Sequence, residues 1–310
     1  MESSVMNWLL EEENPSVRYR TLVELLGENP DSPSLRDLKA EIQGSEQVER
    51  IFSKMDPRGY WVYKGIGAGV DYVDFVTTHF NLSFLAELGL DCSDPRVALA
   101  AERYLDLSSP DGDYSRHMSC LYAYNIRTFI MLGYGSDSRI RKTIELMLSA
   151  TRSDGGYLCE IHEGKRKTRP VKSCINGSTK ALMAFAMLPD LWRHPRCKQL
   201  VDYFLRRDVI YKMGERGVPA NRSSVLMIFP FHWRSNLLES AYALSVMGFG
   251  SRPELDDMWK LFESKRDESS RFVMDWDPPR CYFKSGKRGE TNKWVTLYAY
   301  MALKHKEKAL

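Results

Sequence analysis

Two stretches decide the fold: the turn Arg152-Ser153-Asp154-Gly155-Gly156-Tyr157, and the run Cys174-Ile175-Asn176-Gly177-Ser178-Thr179-Lys180-Ala181-Leu182-Met183-Ala184-Phe185 that follows it. Gly tolerates positive φ and Asp bonds nearby backbone amides, so Asp-Gly reads as a tight turn. The run after it is apolar nearly all round, as a helix buried on most sides must be. The same grammar recurs in both directions. Turns stand at Met55-Asp56-Pro57-Arg58-Gly59-Tyr60-Trp61 and Ser109-Pro110-Asp111-Gly112-Asp113-Tyr114. Apolar runs begin near His79, Cys120, Ser235 and Asn292. Each of the first four runs is followed by a one-faced helix opening near Asp94-Pro95, Ser136-Asp137, His194-Pro195 or Ser251-Arg252-Pro253, with Ser or Asp caps and Pro or charge in the first turn. A further pair is expected over 17–26 and 35–52. Buried helices alternating with one-faced helices imply two layers, about six inner and six outer, built from repeats of roughly 40–60 residues. With no long β-type alternation, the expected class is all-α.

The chain has 310 residues, of which 43% are apolar, 27% charged and 12% aromatic. That length suggests about two domains, but an internal repeat overrides the estimate, and one domain over 1–310 is expected. Lys plus Arg number 44 against 41 Asp plus Glu, a net +3, too small for a nucleic-acid footprint. The first residues have no basic start and turn acidic at Glu11-Glu12-Glu13, unlike a secretory signal. The longest apolar stretch, Ala181 to Leu188, is far shorter than the ~20 residues of a spanning helix. A cytoplasmic setting is therefore expected, with the six cysteines as thiols or metal ligands rather than disulfides.

The Asp-Gly-Gly-Tyr turn at 154–157 and its weaker copies at 56–61 and 111–114 resemble the aromatic repeats of the α/α toroid superfamily, the terpenoid cyclases and protein prenyltransferase β subunits. Gln is absent from them, and Tyr replaces most Trp. The resemblance extends over nearly the whole chain and is greatest to small bacterial and archaeal prenyltransferase or squalene-cyclase repeat proteins. It implies an (α/α)6 toroid whose inner helices gather their N-terminal ends at one rim of a central cavity. For the protein prenyltransferases it also implies a zinc ion at that rim and a partner α subunit.

Cys120 and Cys174 begin successive inner helices, Cys159 ends the turn between them, His162 follows, and His232 precedes the next inner helix. Zinc takes about four thiolate or imidazole ligands in a tetrahedron, which this set could provide. The alternative is a group of ordinary buried thiols, since free Cys packs as a small hydrophobe. The prenyltransferase Asp-x-Cys pattern is missing, because Lys172 stands two residues before Cys174.

Five inner helices each carry an Asn: Asn81, Asn125, Asn176, Asn236 and Asn292. These are either helix caps or a polar cavity floor. Glu239 and His79 add titratable groups. The acid of a terpene cyclase could come from Asp71 or Asp74, or from Asp275, although no Asp-x-Asp-Asp run exists. Lys165, Arg166, Lys167 and Arg169 form a basic loop that is either a diphosphate site or a solvated surface. Tyr122, Trp233 and Trp294 are aromatic candidates for holding an apolar chain, against the simpler reading as core.

The leading expectation is a prenyltransferase- or cyclase-like enzyme binding an isoprenoid or other apolar molecule beside zinc. Two alternatives are a helical scaffold stapled by structural zinc, and a glycan-active α/α barrel. For the last, Glu87 and Glu239 are the main inner-helix carboxylates available.

Overall fold

A computed structural model describes residues 2–61, 75–114, 119–163 and 171–308. Among the described residues there are thirteen α-helices. They are α1 (Ser3–Leu9), α2 (Pro15–Arg20, continued by a π-helical turn Thr21–Leu25), α3 (Pro33–Gln43), α4 (Glu46–Phe52), α5 (Thr78–Leu88), α6 (Pro95–Leu105) and α7 (Ser119–Met131). Then follow α8 (Ser138–Ser149), α9 (Ile175–Ala186), α10 (Pro195–Leu205), α11 (Leu237–Val246), α12 (Asp256–Glu263) and α13 (Lys293–His305). None is long and apolar enough to cross a membrane.

The chain is mostly helical, but the purely helical expectation is corrected by an antiparallel ribbon of β1 (Tyr211–Lys212) and β2 (Glu215–Pro219). Gly214, at positive φ, lies in the turn between the strands, and Gly217, also at positive φ, lies within β2, where the register of the pairing shifts. Its residues are mostly exposed, so no apolar alternation announces it. The helix expected over 35–52 is two helices, broken at Gly44-Ser45, where the Ser45 hydroxyl accepts the Val48 amide.

The apolar-all-round helices α5, α7, α9, α11 and α13 are buried along nearly their whole lengths. Their contacts run in chain order, α2 to α5, α5 to α7, α7 to α9, α9 to α11 and α11 to α13, and α13 returns to α2. Each also touches a one-faced helix: α3, α6, α8, α10, α12 and, for α13, α1.

The turns fasten one layer to the other by a repeated device. The Tyr157 amide donates to the Ser178 hydroxyl on α9 at 2.9 Å, while its phenol donates to the Met147 carbonyl on α8 at 2.8 Å. Trp61 does the same with Thr78 on α5 at 3.0 Å and Ile51 on α4 at 2.8 Å. Arg196, two residues after the cap of α10, donates to the carbonyls of Ala150, Gly155 and Gly156 and lies over the Tyr157 ring at 3.9 Å. Gly155 has φ +80, and a Cβ there would fall 2.5 Å from the Gln199 carbonyl oxygen, so the turn requires glycine.

At the centre, Glu87 of α5 binds Arg20 of α2 at 3.0 Å and Arg127 of α7 at 2.6 Å, and accepts the Tyr298 phenol of α13 at 2.5 Å. Burial alone would raise the Glu87 pKa, but Arg127 and Arg20, aided by Tyr298, hold it below the usual carboxylate range. Its contribution to stability is therefore complete above the pH at which an unfolded Glu ionises, and is lost as pH falls through the lower folded value. Glu87→Gln strands two buried guanidinium groups and should cost about 3–5 kcal/mol in urea unfolding near neutral pH. The gap from the native chain should narrow on acidification. A loss under about 1 kcal/mol would show that the ring does not depend on this tie.

Candidate functional site

The cysteines expected at the rim only partly meet. Cys159 and Cys120 place their sulfurs 3.6 Å apart, and the Ser119 hydroxyl lies 3.6 Å from the Cys159 sulfur. The Cys120 thiol, together with the amides of Cys120 and Ser119 at the start of α7, outweighs burial and draws the Cys159 pKa down to about 5. Cys174 caps α9, and burial pushes its thiol up. His162 sits on an exposed one-turn 3-10 helix. Among the described residues no three His, Cys, Asp or Glu side chains are arranged to hold a metal ion. Of the expected set of Cys120, Cys159, Cys174 and His232, with His162 as a further ligand, two sulfurs, those of Cys120 and Cys159, stand adjacent among the described residues. The imidazole of His232 is held among Phe75, Trp233 and Trp276 and engaged by a backbone amide.

The five asparagines of the inner helices are each bonded within the fold. Asn125 lies mid-helix and donates to the Tyr104 hydroxyl at 3.1 Å, while Asn81 donates to the Thr77 carbonyl at 3.0 Å. Asn236 and Asn292 cap α11 and α13 by accepting the amides of Glu239 and Val295. Asn176 accepts from the Ser235 amide at 2.9 Å and the Asn221 side chain at 3.0 Å, fastening α9 to the approach to α11. Glu239, a candidate acid, is buried against Lys180 and accepts from the Asn236 amide group at 2.8 Å. Burial pushes Glu239 up and Lys180 down, and the attraction between them opposes both shifts. Trp294 stacks on Phe229 at 4.9 Å in the core, and Tyr122 packs edge-on to Tyr157. Asp71, Asp74, Lys165, Arg166, Lys167 and Arg169 lie outside the described residues.

A cleft of about 480 Å³ opens where the long connections into α11 and α13 meet, lined by Arg222, Ile228, His232, Arg234, Asp275, Trp276 and Arg288, among others. The ring of Phe75, just before α5, reaches both His232 at 5.4 Å and Trp276 at 5.9 Å. The approaches to three inner helices therefore converge here. His232 Nδ1 accepts the Arg234 amide at 3.1 Å, which leaves the proton on Nε2. That Nε2 is buried without a hydrogen-bond partner in the described structure. Burial first, then Lys180 and Arg234, hold the His232 pKa well below the usual imidazole value, so the ring is a neutral N–H donor. Arg222, Arg234 and Arg288 are exposed around it. The Asp275 carboxylate is already engaged, by Lys265 at 2.9 Å and the Met227 amide at 2.8 Å. The cleft is therefore cationic, with an indole wall and the His232 ring in its lining.

Of these lining residues, His232 and Asp275 stood out in the sequence. The string His232-Trp233-Arg234 just ahead of an inner helix was the available signal for the remainder; Arg222 gives none.

No family model matches the chain, and no curated protein matches it. Among solved structures it is similar to a polysaccharide lyase, with a TM-score of 0.53, 11% identity, and coverage of 98% of this chain and 97% of that one. At that identity the likeness is one of fold.

The Lys180–Glu239 pair generates a stability test. Lys180→Met leaves a buried carboxylate unpaired and should cost about 3 kcal/mol or more in urea unfolding. Adding Glu239→Leu should recover most of that loss. Equal, additive losses from the two substitutions would mean that the two groups do not depend on each other.

Proposed function

We propose that this chain is a glycan-active α/α toroid that binds an acidic polysaccharide in the His232 cleft and cleaves it by elimination. The observation that carries the reading is the set of three exposed guanidinium groups around the buried, unpartnered Nε2–H of His232. Arg pairs bidentately with carboxylate or sulfate, and an indole face suits a sugar ring, so the lining matches a charged glycan better than an isoprenoid. The closed circuit of inner helices, each with an outer partner, supports the toroid. The full-length fold likeness to a polysaccharide lyase supports the class of substrate.

These groups suit the negative charge that elimination develops. At a uronate, the C5–H bond breaks and its proton passes to a base. The freed pair forms the C4–C5 double bond, the C4–O bond breaks, and the departing sugar oxygen takes a proton. The charge that develops on the uronate carboxyl is what Arg222, Arg234 and Arg288 would offset, and His232 would donate Nε2–H to an anionic oxygen. Hydrolysis by two carboxylates finds less support, because Glu87 and Glu239 are both held in buried ion pairs. Prenyl transfer, the reading that the sequence favoured, leaned on a four-ligand zinc site that the described residues do not assemble.

The test is a panel of pectate, alginate, hyaluronan and chondroitin sulfate, with dextran as the neutral control. At least one acidic polymer should raise the melting temperature and release product with the ultraviolet absorbance of an unsaturated uronate. Arg222→Ala and Arg288→Ala should each weaken binding about tenfold, the loss of one charge-assisted contact, and should flatten its salt dependence. Binding of dextran as tight as that of the acidic polymers, or of none of them, would overturn the reading.

A further inference from the structure

The Cys120–Cys159 pair has no part in the glycan cleft, and its geometry has a chemistry of its own. The two sulfurs come from different repeats, one at the start of α7 and one on the turn ahead of α9, yet lie 3.6 Å apart. A disulfide bond is about 2 Å long, so joining them asks the two sulfurs to close by about 1.5 Å. Ser119 brings its hydroxyl to the Cys159 sulfur. Both thiols are buried, at 8% and 3% exposure, which selects a very small oxidant over a bulky disulfide.

We propose that Cys159 and Cys120 are a peroxide-reactive dithiol, with Cys159 the attacking sulfur and Cys120 the resolving one. The Cys159 sulfur attacks one oxygen of a hydroperoxide. The O–O bond breaks, water or an alcohol leaves, and Cys159 becomes a sulfenic acid, oxidised by two electrons while the peroxide is reduced. The Cys120 sulfur then displaces the sulfenic hydroxyl, which departs as water with the Cys120 proton, and the S–S bond forms. With hydrogen peroxide, two thiols and one oxidant give one disulfide and two waters. A partner sulfur already adjacent favours this closure over further oxidation of Cys159. The bond would fasten the first turn of α7 to the 151–163 segment, and a dithiol reductant would reverse it.

The experiment uses the full chain, reduced, with its metal content measured, and treated with one equivalent of hydrogen peroxide before maleimide blocking and peptide mapping. The expected product is an intramolecular Cys120–Cys159 cross-linked peptide that dithiothreitol abolishes, with a rise in melting temperature. In Cys120→Ser, Cys159 should instead form an adduct with dimedone, the trap for sulfenic acid. The exposed Cys92 is an internal control. Three results overturn the proposal: oxidation of Cys92 while Cys159 stays reduced, a bridge from Cys159 to Cys174, or a bound zinc ion that shields both thiols. The native-chain map decides the matter even if the variant does not fold.

Discussion

One buried carboxylate ties four helices together. Glu87 sits where α2, α5, α7 and α13 approach one another, and each of the other three helices sends it a donor: Arg20, Arg127 and Tyr298. Arg127 and Arg20 also donate to the Tyr298 oxygen, at 2.7 and 3.2 Å, so the four groups form a closed polar cluster. Removing one charge from such a cluster leaves the others desolvated and unpaired, which makes it all-or-nothing. Apolar packing drives the inner helices inward, and this cluster ties α2, α5, α7 and α13 to one another.

Around that hub the turns act as rivets between layers. Trp61 and Tyr157 each contribute the backbone amide to an inner helix and the side chain to the outer helix before it. Arg196 then covers the Tyr157 turn from the following repeat. The rim is thereby left to the long connections ahead of α11 and α13, which carry the cationic cleft. The candidate site therefore lies on connections, apart from the Glu87 cluster and the aromatic turns.

Much of this architecture was legible in the sequence, because apolar-all-round runs at regular spacing can be buried in few ways. The turn glycines and aromatics were equally plain. What the sequence hid was pairing at a distance. Ser178 and Thr78 read as ordinary helix residues until their hydroxyls are seen to receive the turn amides. Glu239 read as an acid until Lys180 was found against it. The cysteines share a similar place in their repeats, but repeat position does not fix side-chain direction, and only Cys120 and Cys159 face each other. Arg222 and Arg234 belong to irregular connections, where no period reveals which way a side chain points.

The return of α13 to α2 has a consequence for how the chain is assembled. During synthesis α2 emerges early and α13 late, and Arg20 and Tyr298, 278 positions apart, must find each other. Until then Arg20, Glu87 and Arg127 lack their phenolic partner, and one flank of α2 has no neighbour. An open stack of repeats can be extended one unit at a time, but a circular one gains its final seam in a single long-range step, so its slowest search comes at the end.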